Sequence, residues 1–395
     1  MTLDSSAAGE VLGPSVRAGP TNRRVERRIL AFDGFRGAAC ILVILVHAWT
    51  IVPVEDLENL GPLRGLFKSG NLGVTMFFVL GSFLVTRSLL EPGDNRSGID
   101  VTTFWTRRMV RIGSQLYLLV VVLYVVSLFD RWDTWSAAQH QRSLTTISTF
   151  TFNLSLIADP SAHREDVGHL WYLSVEQQFY FAWVFILAWF GRIRWALMAG
   201  LAVGAITITW WRHHDFDQQG PWAAELGSVT RADGLLLGAL GALSLPHVRR
   251  YGPVARRVAL PCLGVMTGLV LVSAELDPYA FLKSQGVVFA LASTLLVLAI
   301  AVGDHPGGLA ERLLASRPIA MVGRVSFPLY LWHYPIFWAS ARWAAGIHWA
   351  PRATGSCLVL AAVVTVAHRF VDRPVAAWLE GVRLPPTRRR DELVT

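Results

Sequence analysis

Lysine is almost absent from this sequence: Lys68 and Lys283 are the only two, although lysine and arginine together number 36 in 395 residues. A GC-rich genome produces such an excess of arginine unaided, so the bias carries no function by itself. Charge is scarce overall, at 16% of residues against 53% hydrophobic, and the mean hydropathy is +0.42. A chain this poor in charge has no soluble basic domain left to hold nucleic acid. Its net charge of +8 points instead to membrane topology and phosphate contacts. Cysteine is rare as well. Cys40, Cys262 and Cys357 are scattered through apolar stretches, an odd set without pair spacing that argues against a disulfide framework or a cysteine metal site. The box "GAAC" at 37–40 precedes an apolar run rather than following one, which argues against a lipoprotein box or a cleaved signal peptide. Missing too are a GxSxG elbow, a P-loop and a GxGxxG turn. "HHDFD" (213–217) offers ligand-type side chains without a partner cluster, so no metal is expected. "HRFVD" (368–372) is one residue short of the His–Asp spacing of soluble acyltransferases.

What fills the chain is apolar sequence. A membrane span needs about 20 largely apolar residues, and ten stretches qualify, near 32–52, 72–90, 113–129, 169–190, 194–211, 229–245, 257–274, 284–302, 323–345 and 353–371. The fold class expected is all-α, a polytopic membrane bundle of about ten helices. Basic segments such as "RRVERR", "GRIR", "HVRRYGPVARR" and "RLPPTRRR" alternate with acid-rich ones such as "VEDLEN", "HREDVGH" and "ELDPYAF". By the positive-inside rule both termini are cytoplasmic. Arg342 and Arg352 alone run against the rule, and the borderline segment 144–157 is placed in a loop. The division expected is a disordered basic tail (1–28), a membrane domain (29–376) and a second basic tail (377–395). There is no internal repeat of the kind that marks many transporters. Oligomeric state is open, a homo-oligomer included.

Ionisable residues inside apolar spans are costly and mark function. In "FDGFRGAACILVILVHAW" (32–49) Arg36 and His47 are eleven positions apart, about three helical turns and roughly 16 Å along one face. In "FWTRRMVRIG", Arg108 and Arg111 share a face, and arginine forks suit phosphate oxygens. With Arg36 they form a candidate site for the nucleotide end of a large anionic cofactor, the alternative being plain positive-inside anchoring. Glu176, in "HLWYLSVEQQFY", lies at a depth similar to His47 and is expected to orient its imidazole. His169 is expected to bond locally at the loop edge. Arg231 and Asp233 in "RADGLLLG" either line an acceptor pocket or pair with other charges. Ser326 and Tyr330 share a face in "GRVSFPLYLWHYPI", with His333 one turn on, as further substrate-binding candidates.

These blocks carry a resemblance. "FDGFRGAACILVILVHA" resembles the opening LDGLRG…H block of the acyltransferase 3 family of bacterial membrane O-acyltransferases. "GNLGVTMFFVLGSFLV" is similar to GxxGVxxFFVLSGFLI, and "FWTRRMVRI" to FxxRRxxRI. "HLWYLSVEQQFY" resembles HLWSLSVEEQFY, and "GRVSFPLYLWHYPI" resembles GxxSYxLYLxHxPI. The departures are the transposed "GSF" at 81–83, Gln177 for a second glutamate, and Asp372 for the glutamate of the closing block. Some members carry a fused extracytoplasmic hydrolase-like domain; because this sequence stops soon after the tenth span, the stand-alone form is expected. The resemblance implies transfer of an acyl group, commonly acetyl, from acyl-coenzyme A to a hydroxyl. Acceptors across the family include surface glycans, lipid-linked sugars and macrolides. His47 would be essential, with Arg36, Arg108 and Arg111 serving the donor. The partners expected are therefore the lipid bilayer, acyl-coenzyme A and a hydroxyl-bearing acceptor. The rival from another class is a proton-coupled transporter or flippase using His47 and Glu176 as a relay.

Overall fold

The computed structural model describes residues 20–90, 101–302 and 308–381, with the backbone alone for 20–28. Its described residues contain ten long helices: α1 (Pro20–Val46), α2 (Gly70–Leu90), α3 (Val101–Ser127), α4 (Trp171–Phe190), α5 (Arg194–Gln219), α6 (Ala232–Val248), α7 (Gly252–Val272), α8 (Gly286–Ala301), α9 (Ser326–Trp343) and α10 (Trp349–Ala367). They coincide with the ten apolar stretches, because in lipid every backbone N–H and C=O must be satisfied within its own helix. Six continuous helical segments are long and apolar enough to cross a membrane by length and composition, α6 and α7 counting there as one run. The protein is an all-α, multi-pass membrane bundle.

Burial sorts the helices. In α2, 72% of the apolar window is buried, against 28% in α3, so α2 is a central helix and α3 turns most of its apolar side chains to lipid. Around α2 pack α1, α6 and α8, while α9 lies between α1 and α10. Segment 144–157 does not cross: it falls in two short helices, Ala137–Ser148 and Phe152–Ala158, separated at Phe150, whose φ is +55°. The expected tails fall mostly outside the described residues, at 1–19 and 382–395. Residues 20–28, placed by composition in a disordered tail, are instead the first turns of α1, where Pro20 suits a helix start. The two arginines that ran against the charge rule are both held. Arg342 pairs with Asp130 (3.3 Å) beside the Trp135 ring, and Arg352 donates to the Ile51 carbonyl (3.4 Å).

The base of α1 is gripped backbone to backbone by the short helix Arg317–Arg324. A methyl group on Gly323 would fall on the Asp33 carbonyl, and one on Gly34 on the Leu314 carbonyl. Small residues allow this approach in membranes, where helices associate by close packing rather than by the hydrophobic effect. Gly323→Ala is expected to destabilise the protein by about 1–3 kcal/mol, read as a lower unfolding midpoint in detergent. Gly200→Ala is the control, since no heavy atom lies within 4 Å of the added methyl.

Candidate active site

His47 ends α1. The helix stops at Val46, and the His47 amide bonds the Ile44 carbonyl (3.1 Å) in a tighter turn. Its ring meets α9, with the His333 centroid at 5.1 Å and Tyr334 at 4.2 Å. Carbonyl partners fix the tautomers. His47 Nδ1 lies 2.7 Å from the Val43 carbonyl and must carry the hydrogen. His333 Nδ1 lies 2.7 Å from the Tyr330 carbonyl and must carry one too. His333 Nε2 is then a lone pair, 3.1 Å from the same His47 Nδ1–H. His47 Nε2 is left as the free base of the pair. His333 is fully buried, whereas His47 is half-buried.

The third imidazole is His169. The sequence places it at a loop edge, but its ring is buried and edge-on to His333, with centroids 5.0 Å apart, and lies 6.1 Å from His47. Neither ring nitrogen has a hydrogen-bond partner. Pro335 in α9 has no N–H, so the Leu331 carbonyl lacks its helical donor and faces His169 together with the Tyr330 carbonyl. Tyr330, the sequence candidate, donates its hydroxyl to the His169 carbonyl and so pins this turn. Ser326 sits away from the imidazoles: its carbonyl faces the Cys40 thiol (3.6 Å), part-way along α1 between Arg36 and His47.

Glu176 is not on His47, which corrects the expectation. Its Oε2 accepts from Arg108 Nη2 (3.2 Å) and Gln177 Nε2 (3.2 Å), and its Oε1 from the hydroxyls of Tyr172 and Tyr180 (3.1 Å each). Arg108 Nε also donates to Gln177 Oε1 (2.9 Å), and its guanidinium lies 4.0 Å from the Tyr180 ring centroid. The face Tyr172–Glu176–Tyr180, at helical spacing, turns its carboxylate toward α2 and α3, while the Tyr172 ring abuts Tyr330 of α9. Gln177, which replaces a second family glutamate, supplies an acceptor to Arg108 Nε and a donor to Glu176, two roles a carboxylate could not fill together. The "GSF" transposition has a local result. A side chain at Gly81 would meet the Tyr180 hydroxyl at 2.6 Å and Glu176 Oε1 at 2.8 Å, while Ser82 Oγ is buried without a partner.

The other arginines divide. Arg36 pairs with Asp33 (3.5 Å), which also meets Arg324 (3.7 Å), and Arg111 lies within electrostatic reach of both Arg36 and Asp33. Four arginines thus face two carboxylates, Asp33 and Glu176, along this part of the bundle. Arg231 and Asp233 do not pair with each other. Asp233 Oδ2 accepts from Arg212 Nη1 (2.6 Å), and Arg231 is buried without a partner. Asp372 accepts from Gln115 Nε2 (2.7 Å) and lies 3.2 Å from His368 Nδ1, which ties the end of α10 to α3. In "HHDFD", His213 meets the Lys283 carbonyl (2.7 Å) and Asp215 accepts from Gln219 (2.7 Å). Among the described residues no group of three or more His, Cys, Asp or Glu is placed to hold a metal ion.

The sequence missed His169, Tyr172, Tyr180 and Tyr334. All but Tyr334 lie in the one stretch "HLWYLSVEQQFY", and the spacing of Tyr172, Glu176 and Tyr180 was the available signal. Glu176→Gln leaves Arg108 with an uncompensated charge and is expected to destabilise the protein by roughly 3 kcal/mol. Adding Arg108→Gln should restore part of that, with a coupling of about 1–3 kcal/mol in a double-mutant cycle of thermal unfolding.

The family model described as "Acyltransferase domain" matches residues 29–368. Peptidoglycan O-acetyltransferase OatA of Listeria monocytogenes is 27% identical over 334 residues, covering 80% of this chain and 50% of that protein. O-acetyltransferase OatA of Staphylococcus aureus is 27% identical over 369 residues, covering 88% of this chain and 57% of that protein. The chain thus spans about half the length of these curated relatives. No solved structure matches. With five ordered motif blocks and a family model spanning α1 to the end of α10, the chain belongs to the acyltransferase 3 family of membrane acyltransferases.

Proposed function

We propose that the protein moves an acyl group, acetyl in the first instance, from acyl-coenzyme A to a hydroxyl of a sugar-containing acceptor. The observation that carries the reading is the tautomer of His47. With Nδ1–H committed to Val43 and His333, the half-buried ring keeps Nε2 as a base on a site otherwise lined by aromatic rings. Both termini are taken as cytoplasmic, so the donor enters from the side of Arg36, Arg108 and Arg111. The excess of guanidinium over carboxylate there suits the phosphates of coenzyme A. A donor phosphate at Arg108 competes with Glu176 for the guanidinium, so Glu176 acts as a positioning residue rather than on His47. The pantetheine arm follows α1 past Cys40 and Ser326 and brings the thioester to His47.

In the transfer step, His47 Nε2 takes the proton of the acceptor hydroxyl as its oxygen attacks the thioester carbonyl. The imidazolium so formed shares its Nδ1–H with the Val43 carbonyl and His333 Nε2, and this spreads the charge in a site without a carboxylate on the ring. The C–S bond then breaks, and the thiolate of coenzyme A takes the proton back from His47 Nε2. No covalent acyl-enzyme is needed. Two OatA relatives named as O-acetyltransferases, one of them of peptidoglycan, favour an envelope glycan or its lipid-linked precursor as acceptor over a macrolide-type metabolite. No observation favours the transporter reading.

The test is transfer of radiolabelled acetyl from acetyl-coenzyme A in membranes containing the protein, with release of free thiol followed in parallel. His47→Ala is expected to lower transfer by at least about 100-fold, and full transfer by that variant would sink the mechanism. His333→Ala, which removes one of the two acceptors for Nδ1–H, is expected to lower kcat by about 10- to 100-fold with little change in KM for the donor, because its effect is on the orientation of His47.

A further inference from the structure

Arg231 is 1% exposed, and none of its three guanidinium nitrogens has a hydrogen-bond partner. The guanidinium lies among rings, with the Phe281 centroid at 4.4 Å, Trp171 at 5.5 Å and Phe78 at 5.8 Å. The two carboxylates within electrostatic reach are engaged elsewhere: Asp233 by Arg212 Nη1 (2.6 Å) and the Gly234 amide (2.9 Å), Glu225 by Asn71 Nδ2 (2.9 Å). Arg212 contributes a second free atom, since its Nη2 is buried and unpartnered too. Asp233 is thus paired with Arg212 and Glu225 is held by the neutral Asn71 amide, which leaves the Arg231 guanidinium buried with no hydrogen bond or ion pair of its own. Arginine does not lose its proton to escape burial, and an uncompensated buried charge is among the costliest features a fold can carry. Such a charge is kept where a ligand supplies the missing partner.

The position of this charge relates it to His47. Arg231 caps the start of α6 against Trp171, the first residue of α4, and His169 precedes Trp171 by two positions. The Phe78 ring stacks on Tyr172 (5.0 Å), Tyr172 abuts Tyr330 (5.5 Å), and Tyr330 abuts His169 (5.0 Å). One aromatic wall thus connects the orphan guanidinium to the imidazole cluster. We propose that Arg231, assisted by Arg212 Nη2, binds a carboxylate or phosphate of the acceptor while the acceptor hydroxyl is presented to His47. The acceptor is then an acidic glycan unit rather than a neutral sugar, a conclusion that rests on the O-acyl transfer reading. The fork of Arg231 suits the paired oxygens of either anion, and the aromatic cage excludes water that would otherwise screen the contact.

The experiment needs no turnover. Thermal unfolding of the purified full chain in detergent is followed with sodium acetate, sodium phosphate or sodium chloride at matched ionic strength. Acetate or phosphate is expected to raise the midpoint by roughly 2–4 °C over chloride, in the wild type and equally in His47→Ala. A response to acetate alone identifies a carboxylate, and a response to phosphate alone a phosphate. Arg231→Met should abolish the shift and, in chloride, unfold at or above the wild-type midpoint because the orphan charge is gone. Arg231→Lys keeps the charge without the fork and should lose at least half of the shift. The Arg108 and Arg111 site is intact in both variants, so a shift that depends on Arg231 is not theirs. The proposal is overturned if the wild type shows no shift over chloride, or if the shift is undiminished in the Lys variant or, where it folds, in the Met variant. Failure here leaves acyl transfer standing, and loss of transfer with the anion shift intact would leave the anion site standing.

Discussion

The ion pair between Arg108 and Glu176 joins α3 to α4 inside an apolar bundle, and the architecture of the site follows from it. A carboxylate in such surroundings needs every lone pair answered, and Glu176 collects Arg108, Gln177 and two tyrosine hydroxyls. That requirement fixes which face of α4 looks inward. It also demands a glycine on α2, since a side chain at position 81 would take the space of the tyrosine hydroxyl and the carboxylate. Once α4 is oriented this way, Tyr172 packs against Tyr330 of α9, and the turn before α4 delivers His169 to the imidazoles. The polar centre and the imidazole cluster are therefore two halves of one packing solution.

The helices were legible in the sequence because hydropathy over about 20 residues reports the demand that lipid makes on the backbone. The residues of the site were legible as a list, since ionisable groups in apolar runs stand out. Their pairing was not. Depth counted from helix ends placed Glu176 level with His47, but contact depends on which way each helix is rotated and on the reach of an arginine side chain. Arg108, counted as a residue of the membrane edge, extends inward to the carboxylate. His169 was read as a loop residue because burial of a turn is decided by what packs over it, here Tyr330 and Tyr334 of a helix 160 positions later in the chain. Asp233 was legible as a charge that lines a pocket or pairs with another, but its partner, Arg212 of α5, was not legible from the spacing.

An imidazole held by two other groups rather than by a carboxylate has electrostatic consequences. Val43 and His333 present a carbonyl and a neutral lone pair to Nδ1–H, which orient the ring without placing a formal negative charge next to it. In the transfer proposed above, removal of the proton would then depend on the approach of the acceptor and on the polarity that substrates bring with them. His47 is half-buried where His333 is fully buried, which suits the proposed role of meeting donor and acceptor.

α1 is clamped at its base by the Arg317–Arg324 helix through backbone contacts at Gly37 and Gly323, and it packs against α2 higher up, where Gly73 lies under the Ala39 carbonyl. The Gly37 and Gly323 contacts are backbone on both sides, while Val43 and Leu42 side chains also border Gly73. The rise between Arg36 and His47 is consequently a fixed length, and α1 behaves as a gauge rather than a hinge. On the donor path proposed above, a thioester carrier whose arm matches that length would be brought into register with the imidazole, and one too short or too long would be held out of register however well its charged end is gripped. On that proposal, selectivity for the carrier would be written into glycines whose own contacts are with neighbouring backbone.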